Sequence, residues 1–332
     1  MVRELDVEQW KEELVAACRF GDDEQARALV RQLGPRKARA LLEALLEEED
    51  GPVRQAAVFG LGDLGGAASV RRLEQQLVRE EARGDDDGGS VVEAITQVLG
   101  NIRETGARAS LVRRLERLAT ATVAPDLGDV NTLARALWHK RHPELLPVVR
   151  RSLEALALSE MNSLRGLLVL LEKSPEALQA WATDSSVPVE RKTEVITVLE
   201  EEVPETLVPS LLAFISQAHT LLARTVSHQD ESIDFYERLL TLLLEHREHL
   251  LPLLPAETHS ELRTVARTLV ATALLNCAIR AAVLLQYVGL PEDADLLMAH
   301  RPSDSTLAAV FDDTAQALRR QKSQATSGGA TD

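Results

Sequence analysis

Apolar residues recur at three- and four-residue steps along most of the chain, and the two-residue alternation of a half-buried strand is absent. Three stretches align without gaps: VRQAAVFGLG from Val53, VVEAITQVLG from Val91 and VNTLARALWH from Val130. Their starts lie 38 (91 − 53) and 39 (130 − 91) residues apart. In the first, Val53, Ala56, Ala57, Gly60 and Leu61 fall on one helical stripe; in the second, Val91, Ala94, Ile95, Val98 and Leu99 do. A second helical pattern follows each: VRRLEQQL from Val70, VRRLERLA from Val112 and VVRRSLEAL from Val148. A helix pair repeated at this period predicts stacked two-helix layers sharing one continuous interior.

The flanks carry the same period with less regularity. Val7 to Arg19, Asp23 to Leu33 and Arg36 to Glu48 read as three short helices, with Asp22 or Asp23 as an N-cap and Gly34-Pro35 as a stop. Farther on, Ser216 to Ser227, Ser232 to Leu250, Ser260 to Tyr287 and Ser303 to Arg320 are helical in pattern and longer. RGDDDGGS (Arg83 to Ser90) reads as a flexible connection, and QKSQATSGGATD at the end, with no apolar stripe, as a disordered tail. The expected organisation is a helical cap over 1–50, repeats over 51–216, further helical repeats and a cap over 217–320, and a tail over 321–332.

Val53, Arg54, Ala56, Ala57, Leu61, Gly62 and Leu64, followed by a leucine-rich second helix, resemble a HEAT repeat of the short bacterial, PBS-lyase type. The match is good over 52–79, fair over 90–118 and degraded over 130–156. The resemblance implies an all-α fold, an α-solenoid of antiparallel helix pairs (a HEAT-like superhelix), in which the second helix of each pair lines the inner curve. Some proteins with such repeats are enzymes. HEAT-like deoxyhypusine hydroxylases hold iron through His-Glu dipeptides, and none occurs here. HEAT-like DNA glycosylases need a basic face with aromatic residues, whereas Trp10, Trp138 and Trp181 sit on separate elements of an acidic chain. Phycobilin lyases also use such repeats, but no polar constellation here would orient a tetrapyrrole.

The repeat also decides how one local motif reads. Gly60-Leu61-Gly62-Asp63-Leu64-Gly65 satisfies the G-x-G-x-x-G pattern of a dinucleotide-binding turn, which requires a preceding strand. The residues before Gly60 have helical periodicity, the second copy keeps only Gly100, and the third has His139 there. The glycines are therefore expected to serve packing: Gly60 lets a neighbouring helix approach, while Gly62 and Gly65 end one helix and turn the chain.

Composition agrees with helices: aromatic residues are only 3% of a chain whose apolar mass is mostly Leu, Ala and Val. The formal charge of −15 opposes general binding to nucleic acid or to an anionic membrane. Acidic excess concentrates beyond residue 160, with Glu200, Glu201, Glu202 and Glu205 among its members. Cys18 and Cys277 have no metal-ligand spacing and read as buried thiols in a reducing compartment. The N-terminal stretch lacks the apolar core of a signal peptide, and Leu269 to Leu290, interrupted by Asn276, Arg280 and Gln286, reads as a buried helix of a soluble protein. A cytoplasmic location is expected.

Two clusters hold candidate chemistry. His219, His228, His246, His249 and His259 are five of the eight histidines; Glu245 and His249 stand four apart and His246 and His249 three apart, so two could share a helical face and contact a metal. No H-E-x-x-H motif accompanies them, so a solvated helix end explains them as well. Arg71, Arg72, Arg113, Arg114, Arg150 and Arg151 recur as pairs in successive second helices, where stacking would form a ladder suited to carboxylates or phosphates. Glu74, Glu116 and Glu154 each follow an arginine by three residues and offer these cations partners within their own helices. The combined expectation is a non-catalytic scaffold or adaptor that binds another protein or peptide. It uses no cofactor, metal, nucleic acid or membrane, and an acidic inhibitor of a basic protein is a special case. The competing expectation is a metal- or cofactor-handling enzyme built on the histidines.

Overall fold

The computed structural model describes residues 7–224, 232–272 and 275–327, and every regular element among them is helical. By internal contacts the chain divides into two compact units, 1–164 and 165–332. In the first, α1 (Val7–Phe20), α2 (Asp23–Gln32) and α3 (Pro35–Leu45) precede three helix pairs. The pairs are α4 (Gly51–Leu64) with α5 (Gly66–Arg83), α6 (Asp86–Asn101) with α7 (Thr105–Thr120), and α8 (Leu127–His139) with α9 (Leu145–Leu156). First helices stack in the order α4, α6, α8 and second helices in the order α5, α7, α9. That arrangement is the expected layering, and α1, α2 and α3 all pack on α4.

Helix α10 (Ser163–Glu172) crosses the division. The second unit continues with α11 (Pro175–Thr183), α12 (Val189–Leu199), α13 (Val208–Arg224), α14 (Ile233–Glu245) and α15 (Arg247–Leu250). It ends with α16 (Ala256–Thr272), α17 (Leu275–Val288), α18 (Asp293–Ala299) and α19 (Ser305–Ser327). Here too the contacts form two rows, α11–α13–α16–α18 and α12–α14–α17–α19. Gly166 of α10 lets the chain approach α12 closely, since a methyl group there would lie 2.1 Å from the Glu194 carbonyl oxygen.

Local chemistry explains the helix boundaries. Asp22 caps α2 by accepting from the Gln25 backbone N–H at 3.0 Å, and Pro35 begins α3 where its missing N–H costs nothing. Ser174 caps α11 in the same way, through the Ala177 N–H. The aspartates of RGDDDGGS are not a loose connection. Gly84 closes α5 in the left-handed region at φ 66°, and Asp85 caps α6 by accepting from the Gly88 N–H at 2.6 Å. Asp86 and Asp87 then occupy the first turn, where acids complement the helix dipole.

Three other expectations change. Gly65, at φ 58°, does end α4, but Gly62 lies inside that helix, where a side chain would meet Val98 of α6. The apolar run 269–290 is two helices, α16 and α17, packed on each other. They run antiparallel: Arg263, midway along α16 and nine residues before its end, donates to the Val288 carbonyl at the far end of α17. Helical structure also continues to Ser327, into the segment read as a tail; residues 328–332 lie outside the described residues. One stretch, Glu205–Ala223, is long and apolar enough to cross a membrane by composition; in the structure it is largely α13, whose Leu211, Phe214, Ile215 and Ala218 are buried.

The core is aliphatic, with a few large anchors such as Trp10, whose indole N–H donates to the Leu29 carbonyl at 2.9 Å. Several charges are nevertheless buried, each with a partner. Arg54 and Glu80, both fully enclosed, pair at 2.9 Å, and Arg54 also donates to the Glu48 and Glu49 carbonyls. Lys192 donates to the Asp184 carbonyl at 2.9 Å, and Lys140 donates to the Ile102 carbonyl. Burial pushes both ammonium groups below the ordinary lysine range.

Candidate interaction surface

The six arginines do not stack as one ladder. Burial sets the register of the second helices through Leu73, Leu111 and Val149, each 38 residues beyond the last (111 − 73, 149 − 111). The V-R-R motif runs on a different spacing, from Val70 to Val112, which is 42 residues (112 − 70) and one helical turn more. Arg114 is therefore level with Gln76, not Arg72, and Arg113 is level with Gln75 and Arg151.

Individual environments follow from that shift. Arg114 is fully buried and holds three elements together: it donates to Thr96 of α6 at 2.5 Å, to Glu81 of α5 at 3.2 Å and to Asp129 of α8 at 2.8 Å. Arg72 pairs with Glu47 at 2.5 Å and donates to Gln76 at 3.1 Å. Arg113 is exposed but spans layers, with a two-point contact to Glu74 of α5 at 2.5 and 2.7 Å. That hydrogen-bonded carboxylate raises the Arg113 pKa above an ordinary guanidinium, against the lowering effect of burial. Glu74 thus pairs with the next layer and not with Arg71 of its own helix. Arg71, Arg150 and Arg151 are exposed.

The histidines separate as well. His246 caps the end of α14 and contacts the Glu200 carbonyl through Nε2 at 2.7 Å, and His259 contacts the Leu251 carbonyl through Nε2 at 3.0 Å. His249 is exposed on α15 and His219 is half-buried on α13; His228 lies outside the described residues. Among the described residues, no three His, Cys, Asp or Glu side chains are grouped closely enough to hold a metal ion. The acidic residue Glu200 pairs with Arg238 at 3.3 Å.

A surface that sequence reasoning missed lies at the C-terminal ends of the first helices. A groove of about 800 Å³ is lined by Asp23 and Arg27 of α2, Phe59, Gly62 and Asp63 of α4, Gln97, Val98 and Asn101 of α6, and the following Ile102 and Arg103. The 38-residue register makes Phe59 equivalent to Gln97 and Asp63 to Asn101, so two consecutive layers supply matching positions. Gly62 lets α4 and α6 pack closely beside the groove, since a methyl group there would lie 2.6 Å from a Val98 methyl.

The two ends of the groove differ electrostatically. At one end the Arg27 guanidinium sits 5.8 Å from the Phe59 ring centre, 3.0 Å from Asp23 and 3.6 Å from Asp63, so its charge is met. At the other end Arg103 is exposed and, like Asn101, makes no hydrogen bond or ion pair among the described residues. Gln97 uses one amide hydrogen, donating to Glu93 at 3.3 Å. The glycine-rich string did point at α4, yet nothing in sequence joins Arg27, Phe59, Asn101 and Arg103. Arg27, Phe59 and the Asn101–Arg103 stretch lie on three separate segments, and only stacking brings these together.

No family model matches this chain, and no curated protein matches it. Among solved structures, an engineered protein is similar at 17% identity over 92% of this chain and 87% of that chain, with a TM-score of 0.31.

Proposed function

We propose that this protein is a non-catalytic cytoplasmic scaffold that binds another protein or peptide through the exposed surface of its helix layers. The observation that carries this reading is the groove across α2, α4 and α6, with a mostly polar lining in which the side chains of Asn101 and Arg103, without partners among the described residues, lie near Phe59 and Val98. Its size of about 800 Å³ is ample for several side chains of a bound segment. The arginines expected as the binding set are a weaker basis, because Arg72, Arg113 and Arg114 already hold neighbouring elements together. Exposed Arg71 and Arg151 could extend a contact.

Affinity capture with cross-linking from the native cell tests this. The expected result is one or more proteins enriched over a tag-only control and cross-linked to residues near the groove. Absence of enrichment, together with stoichiometric metal or a coloured cofactor on the purified protein, would replace the scaffold reading with that of a metal- or cofactor-handling enzyme.

A further inference from the structure

We infer that the groove across α2, α4 and α6 accepts an extended peptide segment bearing an acidic side chain, a refinement that rests on the scaffold reading above. The main-chain contacts come from α6. Gln97 and Asn101 are four residues apart on one helix, so their side chains emerge one turn and ~6 Å apart. An extended chain repeats a peptide unit of the same orientation every two residues, ~6.7 Å. Two carboxamides at that separation can each offer an N–H and a carbonyl to successive outward-facing peptide units.

Side-chain selectivity follows from what lies to either side. The peptide residue directed inward between those units meets Phe59 and Val98, both only part-buried in the groove lining, which suits an aliphatic or aromatic side chain. A residue at the α6 end meets Arg103, whose guanidinium has no carboxylate partner among the described residues. A peptide carboxylate supplies one in the forked geometry that arginine favours. At the opposite end Arg27 is already held between Asp23 and Asp63, which leaves no site there for a second anion and disfavours an acidic stretch along the whole groove. The preferred segment therefore has one acid beside an apolar residue, not an acidic run.

The test is selection of a phage library of random linear peptides on the purified full-length protein, with counter-selection on the Asn101→Ala/Arg103→Glu variant. Selected peptides are then synthesised and titrated by fluorescence polarisation. Enrichment of Asp or Glu close to an aliphatic or aromatic residue is expected. Arg103→Glu should lower affinity about tenfold or more and Arg103→Lys by less, with unchanged melting temperatures, as lost charge-assisted hydrogen bonding requires. Selected peptides that are basic, or whose binding is indifferent to Asn101→Ala and Arg103→Glu, would overturn the inference while leaving a scaffold that binds elsewhere. If no peptide is enriched although native capture succeeds, the groove inference alone fails; if both come back empty, the scaffold reading falls with it.

Discussion

Buried charge is the most consequential feature at the scale of single residues. Arg54 and Glu80 are enclosed between α4 and α5, with Gln76 donating to Glu80 at 2.6 Å and Arg54 reaching two backbone carbonyls. The pair offsets its own desolvation only while both members remain. Glu80→Ala should lower unfolding free energy by about 3 kcal/mol or more, because Arg54 would stay buried without its counter-charge. The double variant Arg54→Met/Glu80→Leu should recover most of that loss, and urea denaturation with matched m-values would measure both. A single variant as stable as the parent would mean that water reaches Arg54 freely. The same logic gives Lys192 a pH signature: its ammonium is lowered by burial. Stability from this group is therefore greatest above the ordinary lysine range and declines as pH falls from there through the lowered value. Lys192→Met should flatten that alkaline slope of unfolding free energy.

Elements are held in register by contacts that recur from one layer to the next. Arg113–Glu74, Arg117–Glu81 and Arg108–Glu144 link second helices or their flanks across 39, 36 and 36 residues. The Gly66 N–H donates to Glu104 across 38 residues. Each exposed pair is weak on its own, since solvent screens it and ordering two long side chains costs entropy. A double-mutant cycle on Arg113→Ala and Glu74→Ala should give a coupling of about 0.5 kcal/mol, shrinking at high salt. Zero coupling in thermal or urea melts would mean that apolar packing of α5 on α7 alone positions the two helices. Helix ends are subject to the same economy: one glycine in the left-handed region and one aspartate cap at 84–85 separate α5 from α6 with no loop between them.

For the whole molecule, net charge and the distribution of partners matter more than any single contact. The chain carries −15 at neutral pH and has an isoelectric point near 5.1. Mutual repulsion keeps it soluble at pH 7, and carboxylate protonation removes that protection. Turbidity measured against pH should rise to a maximum near pH 5 and clear again in more acid solution; uniform solubility across that range would show that other interactions control association. The acidic excess also fits the local character of the groove. General repulsion of acidic ligands is compatible with the proposed selection of one carboxylate by Arg103, which has no ion-pair partner among the described residues.

Helical class, the first-helix period and some caps were legible in sequence alone, because the position of an apolar stripe depends only on the 3.6-residue turn and on local side-chain chemistry; the Asp85 cap and the break between α16 and α17 were not. Val53, Val91 and Val130 marked the first helices, and Asp22, Gly65 and Ser174 stand where their backbone preferences require. The alignment of second helices was decided only in three dimensions. The repeated V-R-R string suggested equivalence at 42 residues, whereas the core enforces 38 by burying Leu73, Leu111 and Val149 at one level. A polar residue can occupy either level in an isolated helix at little cost, so its neighbours are settled when layers stack and each carboxylate finds the cation that packing has placed beside it. The groove arose in the same way, from three segments far apart in the chain, at Arg27, Phe59 and Asn101–Arg103, that share no local signal.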